Sequence, residues 1–299
     1  MLTKSLLAAT AAFSLVACVK HDDAPSDLKT ALPTADQVRI KLPEGTSRTV
    51  GQLAAYYTIT RDVTRTFNGG SAWVLVLLHS IVAYPVTSVN GDVYTWGPWS
   101  GALDPAEYKL DVIANGDGTY EYELSGRNKT APNAAFEMII TGYADPRPGQ
   151  LRSKGVFNID FDAAGRVNPV GSANRGEVTV TYDLATRHLD LDLVGVDEQN
   201  KPLTAQYAYD EAADGAGKMS FGAKGDAGGG SQHESFQIVS RWLATGTGRA
   251  DVSASGGDIQ SQVTVSLTEC WDPSFRRTYY QDSANFAPTE GSAASCIAK

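Results

Sequence analysis

The sequence predicts a mainly β protein of the α+β kind, in which a curved antiparallel meander of about a dozen strands, half-barrel or barrel-like, packs around an N-terminal helical hairpin. Three observations carry that prediction. From about residue 92 onward, apolar and polar residues alternate with a period of two, as in half-buried strands. The alternating stretches are joined by short glycine-rich or acidic turns, too short for the dozen or more residues that a parallel crossover needs. Residues 71–85, SAWVLVLLHSIVAYP, are apolar on nearly every side and need a cover. A sheet of a dozen strands must curl or close, and this segment is the available filling.

In chain order, Lys4 is followed by an apolar run over residues 5–15 that ends in Leu15-Val16-Ala17-Cys18. A short cationic start before such a run is the grammar of a secretory signal. Its end resembles the lipobox of bacterial lipoproteins: Leu, a small or apolar residue, Ala or Gly, then Cys. The resemblance covers residues 1–18. It implies removal of a signal peptide over residues 1–17, a diacylglyceryl group on the Cys18 sulfur and acylation of the new amino terminus. Several acyl chains hold a protein stably on a membrane. Val19, where Asp would signal retention in enteric bacteria, implies an outer-membrane destination, on either its periplasmic or its surface face.

Residues 18–46 are polar and contain Pro25, Pro33 and Pro43. They are expected to be a lipidated tether, with one β-rich domain over residues 47–299. Ser26-x-x-Lys29 matches the bare motif of penicillin-recognising enzymes, but it stands in this polar stretch with no K-T-G downstream. The helical hairpin is expected over about residues 49–84. Thr49 caps its first helix, and Val50, Leu53, Tyr57, Thr60, Thr64 and Phe67 share one face. Asn68-Gly69-Gly70 makes the turn, Ser71 caps the second helix and Pro85 stops it. That second run spans only about 20 Å as a helix, short of the roughly 30 Å of a bilayer core. Val74, Val76, Ile81 and Val82 keep a buried strand as the alternative.

Strands are expected at residues 108–114 and 120–124, around the turn Asn115-Gly116-Asp117-Gly118. Phe157, Ile159 and Phe161 alternate with Asn158, Asp160 and Asp162. Val178, Val180 and Tyr182 do the same, as do Leu189, Leu191 and Leu193. Further strands are expected at residues 204–209, 218–222, 235–241, 248–254, 262–268 and 276–280.

With Cys18 taken by lipid, Cys270 and Cys296 remain, and in an exported protein they most simply pair with each other. A formal charge of −9 without a basic cluster argues against nucleic acid as a partner. No G-x-S-x-G, zincin or phosphate-loop motif occurs, so no catalytic residue, metal or cofactor is assigned. His188, Asp190 and Asp192, with Asp160 and Asp162, form a carboxylate-rich group that a solvated sheet face also requires. Lone His79 on an apolar helix is expected to be a hydrogen-bonded core residue.

The order of elements is similar to the bacterial lipoprotein-carrier half-barrels, which hold acyl chains between sheet and helices. That resemblance implies an apolar-ligand cavity, expected beside Leu75, Leu78, Val82, Trp96 and Trp99. The expected function is therefore that of a lipid-anchored, non-enzymatic envelope protein binding or carrying a lipid or other apolar ligand. The alternatives are a structural or protein-interaction lipoprotein with a filled core, and a carboxylate-dependent hydrolase of envelope polysaccharide.

Overall fold

The computed structural model describes residues 24–43, 52–101, 104–149, 152–170, 175–196, 202–225 and 232–299. The signal segment and Cys18 lie outside them. The sheet begins with β1 (Ser88–Asn90), β2 (Val93–Trp99), β3 (Ala106–Ala114), β4 (Tyr120–Asn128) and β5 (Glu137–Asp145). It continues through β6 (Lys154–Asp160), β7 (Gly176–Asp183), β8 (His188–Val196), β9 (Pro202–Glu211) and β10 (Gly217–Gly225). β11 (Glu234–Trp242), β12 (Gly248–Ser255), β13 (Thr264–Trp271), β14 (Arg277–Asp282) and β15 (Glu290–Gly291) complete it. Every strand pairs only with its neighbours in sequence, so the fifteen form one open, curved antiparallel sheet rather than a closed barrel. Its edge strands are three and two residues long, which leaves little exposed backbone for another strand to join.

Register sorts the side chains. Val112, Tyr122, Gly142, Phe157, Val180, Leu191, Tyr207, Phe221, Ile238, Val252 and Leu267 stand side by side from β3 to β13. They form the inner face, and most are buried. Aromatic rings on this face repeatedly lie over a glycine directly opposite: Tyr122 over Gly142, Tyr182 over Gly155, Trp242 over Gly217 and Trp271 over Gly248. A Cβ at any of these glycines would collide with the ring. Glycine thus makes room for the large rings that fill the curve.

Two expectations need correction here. The helical hairpin is instead one 28-residue helix, α2 (Ala55–Val82), running straight through Gly69-Gly70 and past Ser71. The reason is phase. Positions 57, 60, 64, 68, 71, 75, 78 and 82 follow one another at three- and four-residue spacing, so a single face continues through the glycine pair. Each glycine costs about 1 kcal/mol relative to alanine. Burial of Tyr57, Thr60 and Thr64 at one end and Leu78, Ile81 and Val82 at the other outweighs that cost. The helix ends before Pro85, as expected, and no described helix is long and apolar enough to cross a membrane. Leu53 lies ahead of the helix, in a bridge to Arg276, while residue 49 lies outside the described residues.

The expected tether, too, is in part folded structure. Residues 24–43 form a strap across the inner face, with a short helix α1 (Leu28–Ala31). Leu28, Ala31, Leu32, Val38 and Ile40 are buried in the same core as Leu78, Val82 and the strands. Apolar spacing of three and four, then two, is present in the segment, but Pro25, Pro33 and Pro43 hide it. The strap is held by name as well as by burial: the Tyr120 hydroxyl donates to Asp27 (2.7 Å), Trp242 Nε1 donates to the Lys41 carbonyl (3.1 Å), and the Lys41 amide donates to the Tyr209 hydroxyl (3.3 Å).

The first turn of α2 has no capping side chain of its own, since its N-cap is Ala54. Glu269 of β13 supplies the cap from across the core, accepting from the amides of Ala55 (3.0 Å) and Tyr56 (2.6 Å). Burial raises the Glu269 pKa above the ordinary value. The expected disulfide is present: Cys270, the next residue of β13, is bonded to Cys296, 26 positions on. It fastens the C-terminal tail to the strand that caps the helix.

Candidate functional site

Three of the five residues expected beside a cavity lie in the packed core of the inner face. Leu78, Val82 and Trp96 do come together, and they are 0%, 2% and 2% exposed. All three belong to the continuous core that includes Leu28 and Leu32 of the strap. Trp96 Nε1 donates to the Tyr84 carbonyl at 3.0 Å. Trp99 is partly buried against Tyr108, with ring centroids 6.4 Å apart. The Leu75 side chain lies outside the described residues. The aromatic residues at the other end of the sheet also pack: Phe275 stacks on Tyr57 at 4.1 Å, and Trp271 Nε1 donates to the Gly246 carbonyl at 3.0 Å. His79 has the structural role expected of it, with Nε2 3.2 and 3.1 Å from the carbonyl oxygens of Leu32 and Pro33.

The acidic group predicted around His188 is only partly assembled. His188 sits between two carboxylates, Nδ1 2.6 Å from Asp210 and Nε2 2.8 Å from Asp190. Both ring nitrogens donate when the imidazole is protonated, and these bonds, to Asp210 first, raise its pKa. Asp210 was not foreseen; it arrives because β9 places it directly opposite His188. Asp192 instead accepts from Gln206 (2.9 Å). Asp160 leaves the group altogether, because its side chain caps α3 (Phe161–Val167) at the amide of Ala163. Phe161 and Asp162 therefore belong to a helix and not to the expected strand. Among the described residues, no group of three or more His, Cys, Asp or Glu is arranged to hold a metal ion. In the turn after β3, Asp117 accepts from both the amide and the hydroxyl of Thr119 (3.1 and 2.7 Å), which is turn chemistry.

The outer face carries the more distinctive arrangement. Thr95, Asp111, Glu123, Thr141, Asn158, Thr179, Asp192, Gln206, Gly222, Gln237, Ser253 and Ser266 stand in register, one on each strand from β2 to β13. Eleven of the twelve carry a hydrogen-bonding side chain, in a row roughly 50 Å long at ordinary strand spacing. At its β2 end the row runs into a hollow of about 600 Å³, lined by Asp111, Ile113, Glu121, Glu123, Thr141 and Tyr143 among others.

Within the hollow, Asp111 is tied to Lys109 Nζ and the Thr95 hydroxyl, both at 2.6 Å. Glu121 and Glu123 have no hydrogen-bond or ion-pair partner among the described residues. Asp111 and Glu123 are direct cross-strand neighbours, and like charges so placed repel. Two unpaired carboxylates beside a tyrosine and an isoleucine suit recognition of hydroxyl or cationic groups more than stability. Sequence reading missed this hollow because its lining comes from five strands. β5, which supplies Thr141 and Tyr143, was itself not foreseen.

Comparison with protein-family models, with curated proteins and with solved structures found no match to this chain.

Proposed function

We propose that the chain is a lipid-anchored protein of the bacterial envelope, non-enzymatic, which acts as a binding or interaction module through the outer face of its sheet. The anchoring half of this reading rests on Leu15-Val16-Ala17-Cys18, and Val19 after the cysteine supports an outer-membrane destination. The binding half rests on one observation: the apolar face of the sheet is occupied by the chain's own strap and helix, with Leu28, Leu32, Leu78, Val82 and Trp96 in one core. That favours a filled interior over acyl-chain carriage and leaves the polar outer row and its hollow as the working surface. The partner that fits Glu121 and Glu123 bears hydroxyl or cationic groups.

The experiment is to express the full chain in bacteria fed a labelled fatty acid, beside the Cys18→Ser variant, and to analyse the purified protein by native mass spectrometry. Label on the wild type, none on C18S and no stoichiometric non-covalent lipid are expected. An unlabelled wild type ends the anchoring reading. A non-covalent lipid at one per chain replaces the interaction module with a carrier.

A second reading is favoured by Asp111, Glu121 and Glu123 lining one hollow, namely hydrolysis of an envelope polysaccharide by paired carboxylates. Release of reducing ends that Glu123→Gln abolishes would establish it in place of the first.

A further inference from the structure

A smaller hollow, about 320 Å³, lies between the strap and α2, and its lining is basic where that of the first is acidic. Its charged lining is Arg39 and Lys41 from the strap, Arg61 and Arg65 from the helix, and a single acid, Asp36. Four cations meeting one acid is unusual on a chain of net charge −9. Arg61 and Arg65 stand one turn apart on one helix face, where like charges destabilise the helix. The strap then adds two more cations to the same place.

Two of the four are engaged within the protein. Lys41 Nζ pairs with Glu211 at 3.2 Å, and Arg61 Nε lies 3.4 Å from Asp62. Arg39 and Arg65 are exposed and have no hydrogen-bond or ion-pair partner among the described residues. The walls are fixed independently of any ligand: Asn68 Oδ1 accepts from the Ile40 amide and its Nδ2 donates to the Ile40 carbonyl, both at 2.9 Å. This doubly bonded amide joins strap to helix as a neighbouring strand would. Ile40, Leu42 and Pro43 give the hollow an apolar side. Guanidinium forks held on a rigid frame match the geometry of a phosphate group, which accepts paired N–H bonds.

We propose that this hollow is an anion site for a phosphate ester, gripped by Arg39 and Arg65 with Lys41 and Arg61 behind them. The proposal is independent of lipidation at Cys18 and of the outer-face reading. The ester has two sources, a soluble phosphate monoester or the headgroup of a phospholipid, and the test separates them. The full chain carrying Cys18→Ser, which cannot be acylated there, is titrated with glycerol 3-phosphate by calorimetry at low salt. It is also sedimented with vesicles of phosphatidylcholine with or without phosphatidylglycerol.

Saturable binding is expected with one of the two probes. Binding of the soluble ester assigns a free phosphate; binding only to phosphatidylglycerol vesicles assigns the headgroup. Arg39→Gln with Arg65→Gln is expected to weaken binding by about tenfold or more without lowering the urea midpoint, since neither residue has a hydrogen-bond or ion-pair partner among the described residues. Arg39→Lys with Arg65→Lys keeps the charge, removes the forks and is expected to fall between. Binding to neither probe, no effect of the glutamine pair, or full binding by the lysine pair would each overturn the proposal, the last by reducing the site to a merely basic surface.

Discussion

On the inner face of the sheet the row from Val112 to Leu267 meets the strap and α2, and the contacts that close it span the chain. The Lys41 amide reaches Tyr209 across 168 positions, and the Ala55 amide reaches Glu269 across 214. On the outer face the row from Thr95 to Ser266 is built by neighbours. Thr95 donates to Asp111, and Asn158 to Thr179 (3.1 Å), each within 21 positions. The same alternating strands feed both faces. The difference teaches that stability is lodged in long-range closure of one face, while the other is free to be spent on recognition.

The comparison breaks most readily at the strap. Leu32→Asp puts an unpaired charge into the sealed core and is expected to cost about 4 kcal/mol or more, read as a fall in the urea midpoint. A silent Leu32→Asp would return residues 24–43 to the role of a tether. Next in size is the Cys270–Cys296 bridge, whose loop closure is worth about 3.5 kcal/mol in the chain-entropy model. Thermal melts with and without reductant measure it, and coincident melts would show that the tail needs no fastening.

Removing the borrowed helix cap, Glu269→Ala, leaves two amides unpaired in the core and is expected to cost about 2 kcal/mol. Its pH dependence has a defined sign. Because burial raises the folded pKa of Glu269, the stability linked to its protonation is fully present below the unfolded value near 4.5 and is lost as pH rises through the folded one. Wild type should therefore gain on E269A as pH falls from neutral toward that value.

Outer-face changes should be smaller. The raised pKa of His188 gives its ion pairs full effect below about pH 6.5 and removes it as pH climbs through the folded value. The side chain is 35% exposed, so solvent screens the pairs. Urea midpoints of wild type and His188→Gln should differ more at pH 5.5 than at pH 8.5. Smallest of all, Glu123→Gln is expected to change stability by no more than about 0.5 kcal/mol, or to raise it slightly by relieving repulsion with Asp111. A large loss there would make the hollow structural.

The meander was legible because strands such as Tyr120-Glu121-Tyr122-Glu123-Leu124 carry their burial pattern locally and are punctuated by turns. β5 escaped notice because Met138, Ile139 and Ile140 are consecutive apolar residues. A register shift opposite Leu124 and Ser125 puts Ile139 and Ile140 both inside, so alternation fails. α3 was hidden in an apparent strand, since Asp160 is both the last residue of β6 and the helix cap, while Phe161 and Asp162 continue the alternation. Asn68-Gly69-Gly70 imitated a turn, and only the unbroken phase of the flanking residues argued otherwise. The hollows were beyond local reading, because registry and docking, not spacing, bring Asp111 to Glu123 and Arg39 to Arg65.

The nearest-neighbour order of the strands sets a timetable. Each strand can join the sheet as soon as it emerges from synthesis, needing only the hairpin before it. The strap and α2 are made first, yet their anchors Tyr209, Trp242 and Glu269 are made near the end. Until β13 arrives, the cover of the growing sheet's apolar face lacks its last anchors, and exposed apolar surface is the condition in which chains aggregate. A protein so ordered is at its most vulnerable during birth.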